Sequence, residues 1–283
     1  MINKKIEVAV EIYSELCHFY TNKLCQLNKP KRGLVTIRQA IKKIQHDSNT
    51  GKSKINQLTA VHSDLLQLSL ASENFSVALK LLSNDILDIN KPANGSPDAK
   101  HLLLYFYYAG CIYAGMKQFE PALFFFEQAL TAPAIVLSQI MIESYKKFIL
   151  VSLINKGKLP LLPKYTSRIV INQIKPICSV YHEVASAFVN YEQEKLIQLS
   201  QKYHDVFVMD RNIGLIKQVQ QSFNKKNIQK LTKTFITLSL SDMALKVKLS
   251  SAKEAERLMF NMIKDGEIFA NISQKDGNIN FTS

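Results

Sequence analysis

Gly51-Lys52-Ser53 is half of a phosphate-binding loop. The full motif needs a second glycine five positions earlier, where His46 stands, and a strand leading into it, where the pattern is helical. A solvated loop is the expected reading. His182-Glu183-Val184-Ala185-Ser186 begins like a zinc-binding helix, but Ser186 occupies the place of the second histidine, leaving one ligand on that face. Cys17, Cys25, Cys111 and Cys178 include no C-x-x-C pair. Cys17 and Cys25, eight apart, would share a helix face as small buried hydrophobes. Single serines, histidines and aspartates occur, but no spacing draws them together. From these residues we expect no catalytic centre, no metal and no cofactor.

Two further features invite a nucleic-acid reading. The aromatic cluster Tyr105–Tyr108 with Phe124–Phe126 could stack on bases, but its helical spacing assigns it to a core. The formal net charge is +13. Its distribution matters more: residues 1–60 carry 11 basic and 4 acidic groups, residues 61–220 carry 15 and 13, and residues 221–283 carry 10 and 6. The excess therefore lies at the two ends. At 47% hydrophobic and 21% charged residues, the chain is too apolar for disorder. Glu7, Glu11 and Glu15 interrupt any signal-peptide core, and the uncharged run Leu102–Met116 is 15 residues, short of a bilayer span. A soluble, intracellular protein with no membrane partner is expected.

The elements that would position any site are mostly helices, because only 9 Gly and 8 Pro punctuate 283 residues. Phe106–Pro133 resembles the tetratricopeptide pattern, with Gly110 and Ala122 small where two helices cross and Tyr113 and Phe126 filling the space beside them. Phe119–Leu123 (FEPAL) repeats Phe75–Leu79 (FSVAL) after 44 residues, and Phe126–Leu130 (FEQAL) echoes Ile37–Ile41 (IRQAI) after 89. A period near 44 predicts stacked helical pairs, with polar linkers around 46–54 and 90–98. Ile140, Tyr145, Phe148, Ile149 and Leu153 extend the helical signal until Gly157 closes it beside Lys156 and Lys158.

The end of the chain changes character. Residues 227–235 read as a helix and Ile236–Leu240 as a short strand. Ser241 is the expected N-cap of a second helix, and Ser251 opens a third with Glu254 at its capping-box position. In that third helix Ala255, Leu258, Met259, Met262 and Ile263 share one apolar face, and Gly266 ends it. Ile268, Ala270 and Ile272 then alternate inward on one strand, Ile279 and Phe281 on another, with Lys275-Asp276-Gly277 as the turn. Helix, strand, helix, helix and hairpin make a winged helix. Such domains often read DNA with their third helix. Residues 251–283, however, carry four cations against five acids, and phosphate binding needs uncompensated cations. The basic groups lie instead at Lys225, Lys226, Lys230, Lys233, Lys246 and Lys248.

A helical array ending in a winged helix resembles the PCI-domain family of the proteasome lid, the COP9 signalosome and translation initiation factor 3. Residues 98–281 carry the resemblance, through DAKHLLLYFYYAGCIYAGMKQFEPALFFFEQALTAP, ESYKKFILVSLINKGKLPLLPKYTS, KKNIQKLTKTFITLSLSDMALKVKLS and MIKDGEIFANISQKDG in the family's order, and it is closest to the signalosome branch. It implies a mainly α fold: an α-solenoid of TPR-like helical pairs, residues 1–110, then a PCI module, residues 111–283, with a helical part (111–220) and a winged helix with a small β-hairpin (221–283). It further implies a non-catalytic scaffold that assembles through its winged helix, with signalosome subunits 1 and 8 as neighbours. That assembly removes Nedd8 from cullin-RING ubiquitin ligases, in cytoplasm and nucleus. No His-x-His with a downstream acid occurs, so the metal-dependent isopeptidase would reside in another subunit. The alternatives are a PCI subunit of another assembly, or a winged-helix nucleic-acid-binding protein. Family members continue past the wing into bundle-forming helices, whereas this chain stops at Ser283. A fragment, a short isoform or a subunit seated without that anchor are the three expectations. In EIFANIS the outward positions are Phe269 and Asn271, and with Lys275 in the turn they form the expected partner-binding edge.

Overall fold

The computed structural model describes residues 10–45, 57–84, 86, 88–89, 99–133, 136–159, 161–249, 251–273 and 277–281. The expected linkers 46–54 and 90–98, the Gly51–Ser53 half-motif and Lys275 all lie outside them. The backbone falls into two compact units: residues 1–148 with 161–178, and residues 149–160 with 179–283.

The first unit holds helices α1 (Val10–Gln26), α2 (Gly33–Gln45), α3 (Val61–Ala71), α4 (Phe75–Leu82), α5 (Ala99–Gly115) and α6 (Phe119–Thr131). It also takes the first part of α7 (Gln139–Lys156), and α8 (Arg168–Ile177). A two-residue parallel pair, β1 (Gln57–Leu58) with β2 (Asp88–Ile89), was not expected from the sequence. The residue-110 division falls inside α5, which packs along α6 as one hairpin.

What makes the pairs recur is a turn. Asn28, Glu73 and Lys117 adopt left-handed φ of 53°, 54° and 59° at successive helix exits. In each case the next amide donates to a carbonyl five residues back: Lys29 to Leu24 at 2.9 Å, Asn74 to Ser69 at 3.0 Å, Gln118 to Tyr113 at 2.9 Å. This is the Schellman exit, which satisfies orphaned carbonyls. Asn74 and Gln118 are at once the acceptors' partners and the N-caps of α4 and α6, so no free linker separates the paired helices. The exits sit 45 and 44 residues apart, the period legible in the sequence. Nine residues beyond each stand Ile37, Leu82 and Phe126, all buried.

Packing explains Gly110. A Cβ there would lie 2.6 Å from the Phe126 ring, so only glycine admits the aromatic. Tyr113 stacks on Phe125 at 5.4 Å, and Tyr105 is buried beside Phe106 and Phe125. Tyr105 and Phe126 are buried core, Phe106, Tyr108 and Phe125 are partly buried and pack against it, and Phe124 is exposed.

The second unit continues from Ile149 in α7. The Gly157 amide donates to the Ser152 and Leu153 carbonyls, ending α7 as expected. Helices α9 (Ser179–Val189), α10 (Gln193–Lys202), α11 (His204–Met209) and α12 (Ile213–Thr232) follow, with Tyr191 and Arg211 at the same left-handed exits. Buried Asn212 donates to the Tyr181 hydroxyl at 2.9 Å, which donates to Asp210 at 2.6 Å. The first winged-helix element is not a separate short helix but the end of the 20-residue α12, which stops at Thr232. Then come β3 (Thr237–Ser239), α13 (Leu240–Val247), α14 (Ala252–Lys264), β4 (Ala270–Ser273) and β5 (Asn278–Phe281).

Local packing at two glycines and at buried His62 sets two expected outcomes. Gly110→Ala should lower stability by about 1–3 kcal/mol through overpacking. Gly214→Ala, whose Cβ would meet nothing within 4 Å, should be neutral or stabilising by up to about 1 kcal/mol. Thermal melts of the two variants check this.

The second concerns His62. Its Nδ1 accepts the Thr59 amide at 3.0 Å, and burial pushes its pKa down to about 4, against a weaker upward pull from a Thr59 backbone hydrogen bond. The unfolded chain takes up this proton near 6.5 and the folded chain only near 4, so stability falls as pH drops through that window and levels off below it. The loss should be about 3 kcal/mol. His62→Asn, which keeps an acceptor for Thr59, should flatten that part of the pH dependence in urea titrations between pH 7.5 and 4 (about 3 kcal/mol less slope).

Candidate assembly surface

Around the wing, capping fixes the helices first. Ser239 Oγ accepts the Asp242 amide at 3.0 Å, so Ser239 and not Ser241 is the N-cap of α13: the chain leaves β3 extended, and Ser239 is the last residue in that conformation. Ser251 caps α14 as expected, accepting the Glu254 amide at 3.2 Å. At the other end of α14 the Gly266 amide donates to Ile263 and the Glu267 amide to Met262, with Gly266 at φ +71°. A left-handed residue is needed there, and glycine takes that shape without strain.

This exit delivers Ile268 inward, 6% exposed, onto Met259, Met262 and Ile279. The sheet has three strands in the order β3-β5-β4, so β3 joins the expected hairpin and β5 is central. Register aligns Leu238, Ile279 and Ile272 in one inward row. Leu238 and Ile279 are buried, whereas Ile272 on β4 is only half-buried. The outward row aligns Thr237, Asn280 and Asn271, and the Thr237 hydroxyl donates to Asn280 Oδ1 at 3.0 Å.

Backbone alternation identifies the open edge. The Phe281 amide donates to the Ile236 carbonyl at 2.8 Å, so Phe281 and Ile279 face β3. Asn280 and Asn278 therefore face β4, and their partners Asn271 and Ser273 face back. Ala270 and Ile272 are left with their amides and carbonyls on the outer side of β4. No strand pairs there among the described residues.

Phe269 is 71% exposed and lies one residue before β4; Asn271 is exposed on the same outward side. Beside the edge, Lys253, Glu256, Arg257 and Phe260 of α14 line a shallow groove with Ile272. Sequence reading missed Phe260. Its signal was present: a large apolar residue off the Ala255–Met259–Met262 face, among charged neighbours.

Four of the six lysines of the expected basic group are engaged within the second unit. Lys225 pairs with Glu267 at 2.7 Å, Lys248 with Glu194, Lys246 lies over Phe235 and Lys230 over Tyr191. Among the described residues no group of three His, Cys, Asp or Glu could hold a metal ion, and no helix is long and apolar enough to cross a membrane. His182 is half-buried on α9 while Glu183 and Ser186 are exposed. The four cysteines are free, and burial pushes the Cys17 and Cys111 thiols up to about 11.

Helical pairs leading into a three-stranded winged helix with an open outer strand define a PCI-type module, and residues 200–283 match the PCI domain family. Residues 1–170 match the family described as COP9 signalosome complex subunit 3, N-terminal helical repeats. COP9 signalosome complex subunit 3 of Drosophila melanogaster is 44% identical over 293 residues, spanning 99% of this chain and 64% of that protein. The Dictyostelium discoideum protein of the same name is 38% identical over 278 residues, spanning 98% of this chain and 65% of its own length. The chain belongs to the COP9 signalosome subunit 3 family. It spans slightly under two thirds of the length of these relatives.

Ile268→Asp should destabilise the winged helix by more than about 3 kcal/mol, since it buries a carboxylate without a partner. Phe269→Asp should stay within about 0.5 kcal/mol of the parent, and Ile272→Asp should fall between them. Urea denaturation followed by circular dichroism distinguishes the three.

Proposed function

We propose that this chain is a non-catalytic scaffold subunit of the COP9 signalosome. Its β4 edge adds to the winged-helix sheet of a neighbouring PCI subunit, and subunits 1 and 8 are the neighbours. In this role it supports removal of Nedd8 from cullin-RING ligases by a catalytic subunit elsewhere in the assembly, in cytoplasm and nucleus. One observation carries the reading: an unpaired strand edge whose Ala270 and Ile272 peptides face outward, flanked by Phe269 at 71% exposure. Strand addition supplies main-chain hydrogen bonds, and the Phe260–Ile272 groove receives alternate side chains of the added strand. Covering Phe269 removes apolar surface from water, which favours association over the free edge.

The nucleic-acid reading lacks cations where it needs them. In α14 Lys253 and Arg257 are interleaved with Glu254 and Glu256, and Lys225, Lys248, Lys230 and Lys246 are engaged by Glu267, Glu194 and aromatic rings. Such a surface releases few counterions on meeting phosphate.

Mild affinity purification of the tagged chain from cells tests the assembly role. The parent should co-purify signalosome subunits 1 and 8, and Phe269→Asp should reduce their recovery about tenfold with unchanged circular dichroism. Purified alone, the chain should not cleave a Nedd8–cullin conjugate. Undiminished capture by the folded Phe269→Asp variant would reject the β4 edge as the interface, and recovery of no signalosome subunit by the parent would reject the assembly role.

A further inference from the structure

The register of the three-stranded sheet constrains any strand that adds to it. Residues opposite one another across a sheet point to the same face, so each row keeps its direction as strands join. Leu238, Ile279 and Ile272 form one such row, and Phe281 with Ala270 another. Ala270, Ile272 and Phe281 all pack toward the cluster of Met259, Met262 and Ile279, so both rows face α14. The outward peptides of β4 belong to these same residues, Ala270 and Ile272. A strand that bonds to them, whichever way it runs, therefore turns the residues opposite them toward α14.

On α14 those residues meet a graded surface. Lys253, Arg257 and Phe260 stand at i, i+4 and i+7, beside the buried Ala255–Met259–Met262 face, and with Glu256 and Ile272 they line one groove. No residue of β3 or β5 lines it, so it opens on the side of β4 where no strand pairs among the described residues. Phe260, 62% exposed, and half-buried Ile272 supply apolar surface. One and two turns nearer the α14 N-terminus, Arg257 and Lys253 are exposed, with half-buried Glu256 between them. Among the described residues no ion pair involves Lys253 or Arg257. The groove therefore pairs an apolar patch with two cations at a fixed offset along the helix.

We infer that β4 selects its strand by two side chains turned to α14: a large apolar residue opposite Ile272, and a carboxylate two positions along. The apolar residue covers Phe260 and Ile272. The carboxylate lies on the Arg257–Lys253 side of it, where a basic residue would meet like charge. The inference rests on β4 as the assembly edge and adds which strand that edge accepts.

In the test, the tagged full chain carries the photo-crosslinking residue p-benzoyl-phenylalanine in place of Phe260. It is purified mildly from cells and irradiated, and the cross-linked segment is sequenced by mass spectrometry. The expected segment is a strand of alternating character, with a large apolar residue and an Asp or Glu two positions from it. Charge reversal is the second arm. Lys253→Glu with Arg257→Glu should lower recovery of the cross-linked neighbour about tenfold. Lysine in place of the neighbour's carboxylate should restore recovery to this double variant and lower it for the parent. Both altered side chains are exposed, so circular dichroism should match the parent's, and each single reversal is read instead if the pair misfolds. A cross-link to a helix, to a segment without an acid at that spacing, or to nothing overturns the inference, as does full recovery by the folded charge-reversed variant. Phe269→Asp separates the two failures. If it loses the neighbour while charge reversal keeps it, β4 remains the edge and only the selection rule falls. If it keeps the neighbour, the edge is wrong and the rule falls with it.

Discussion

One hydrogen bond sets how helices follow one another in this chain: an amide just past a left-handed residue donates to a carbonyl five residues back. It recurs after Asn28, Glu73, Lys117, Tyr191, Arg211, Lys248 and Gly266. Only the last carries glycine. The other six accept a backbone shape that costs L-residues about 1–2 kcal/mol each, so the bond and the packing it enables must offset that cost. In return the direction of the next helix is fixed within a single residue. Gly110 can face Phe126 only because the intervening turn admits no slack.

That device also explains what the sequence disclosed and what it hid. The 44-residue spacing of FSVAL and FEPAL is visible because Phe75 and Phe119 each stand two residues beyond a left-handed exit. The exits themselves are hidden, because Glu73, Lys117, Tyr191 and Arg211 are not residues that announce a turn. Gly266 and Gly157 were readable for the opposite reason. The N-cap moved from Ser241 to Ser239 because two serines crowd one strand-to-helix junction, and spacing alone does not rank them. At the candidate surface, period-2 alternation was enough to place Ile268 inside and Phe269 and Asn271 outside. It could not reveal that β3 joins the sheet, which makes β5 central and leaves β4 and β3 as its two outer strands. Pairing between strands some 40 residues apart leaves no local trace.

Electrostatics follows from packing in the same way. The winged-helix region is basic by count, yet each lysine whose partner is described here neutralises a carboxylate or covers an aromatic ring of the second unit. Lys225 and Glu267 tie the middle of α12 to the exit of α14, 42 residues apart. Such exposed pairs contribute little to stability individually, about 0–1 kcal/mol. Their larger effect is to remove free cations from the wing, so that net charge ceases to report on partners.

An open strand edge is a hazard that a protein must limit if the edge is to serve assembly. Three features of β4 restrict what can add to it. The strand has only four residues, which limits the hydrogen bonds any partner can form. Its outward row continues across the sheet as Asn271, Asn280 and Thr237, polar but uncharged, so it offers no apolar sheet face for stacking. The groove alongside combines Phe260 and Ile272 with Lys253, Glu256 and Arg257, so an added strand must match both an apolar slot and charges of both signs. An added strand that brought further cations to Lys253 and Arg257 without an acid opposite them would meet like charge. A chain with a different charge pattern meets no such restriction. The same edge can thus discriminate against such strands while remaining open to a complementary one, because specificity is set by the cost of the wrong partner as much as by the gain from the right one.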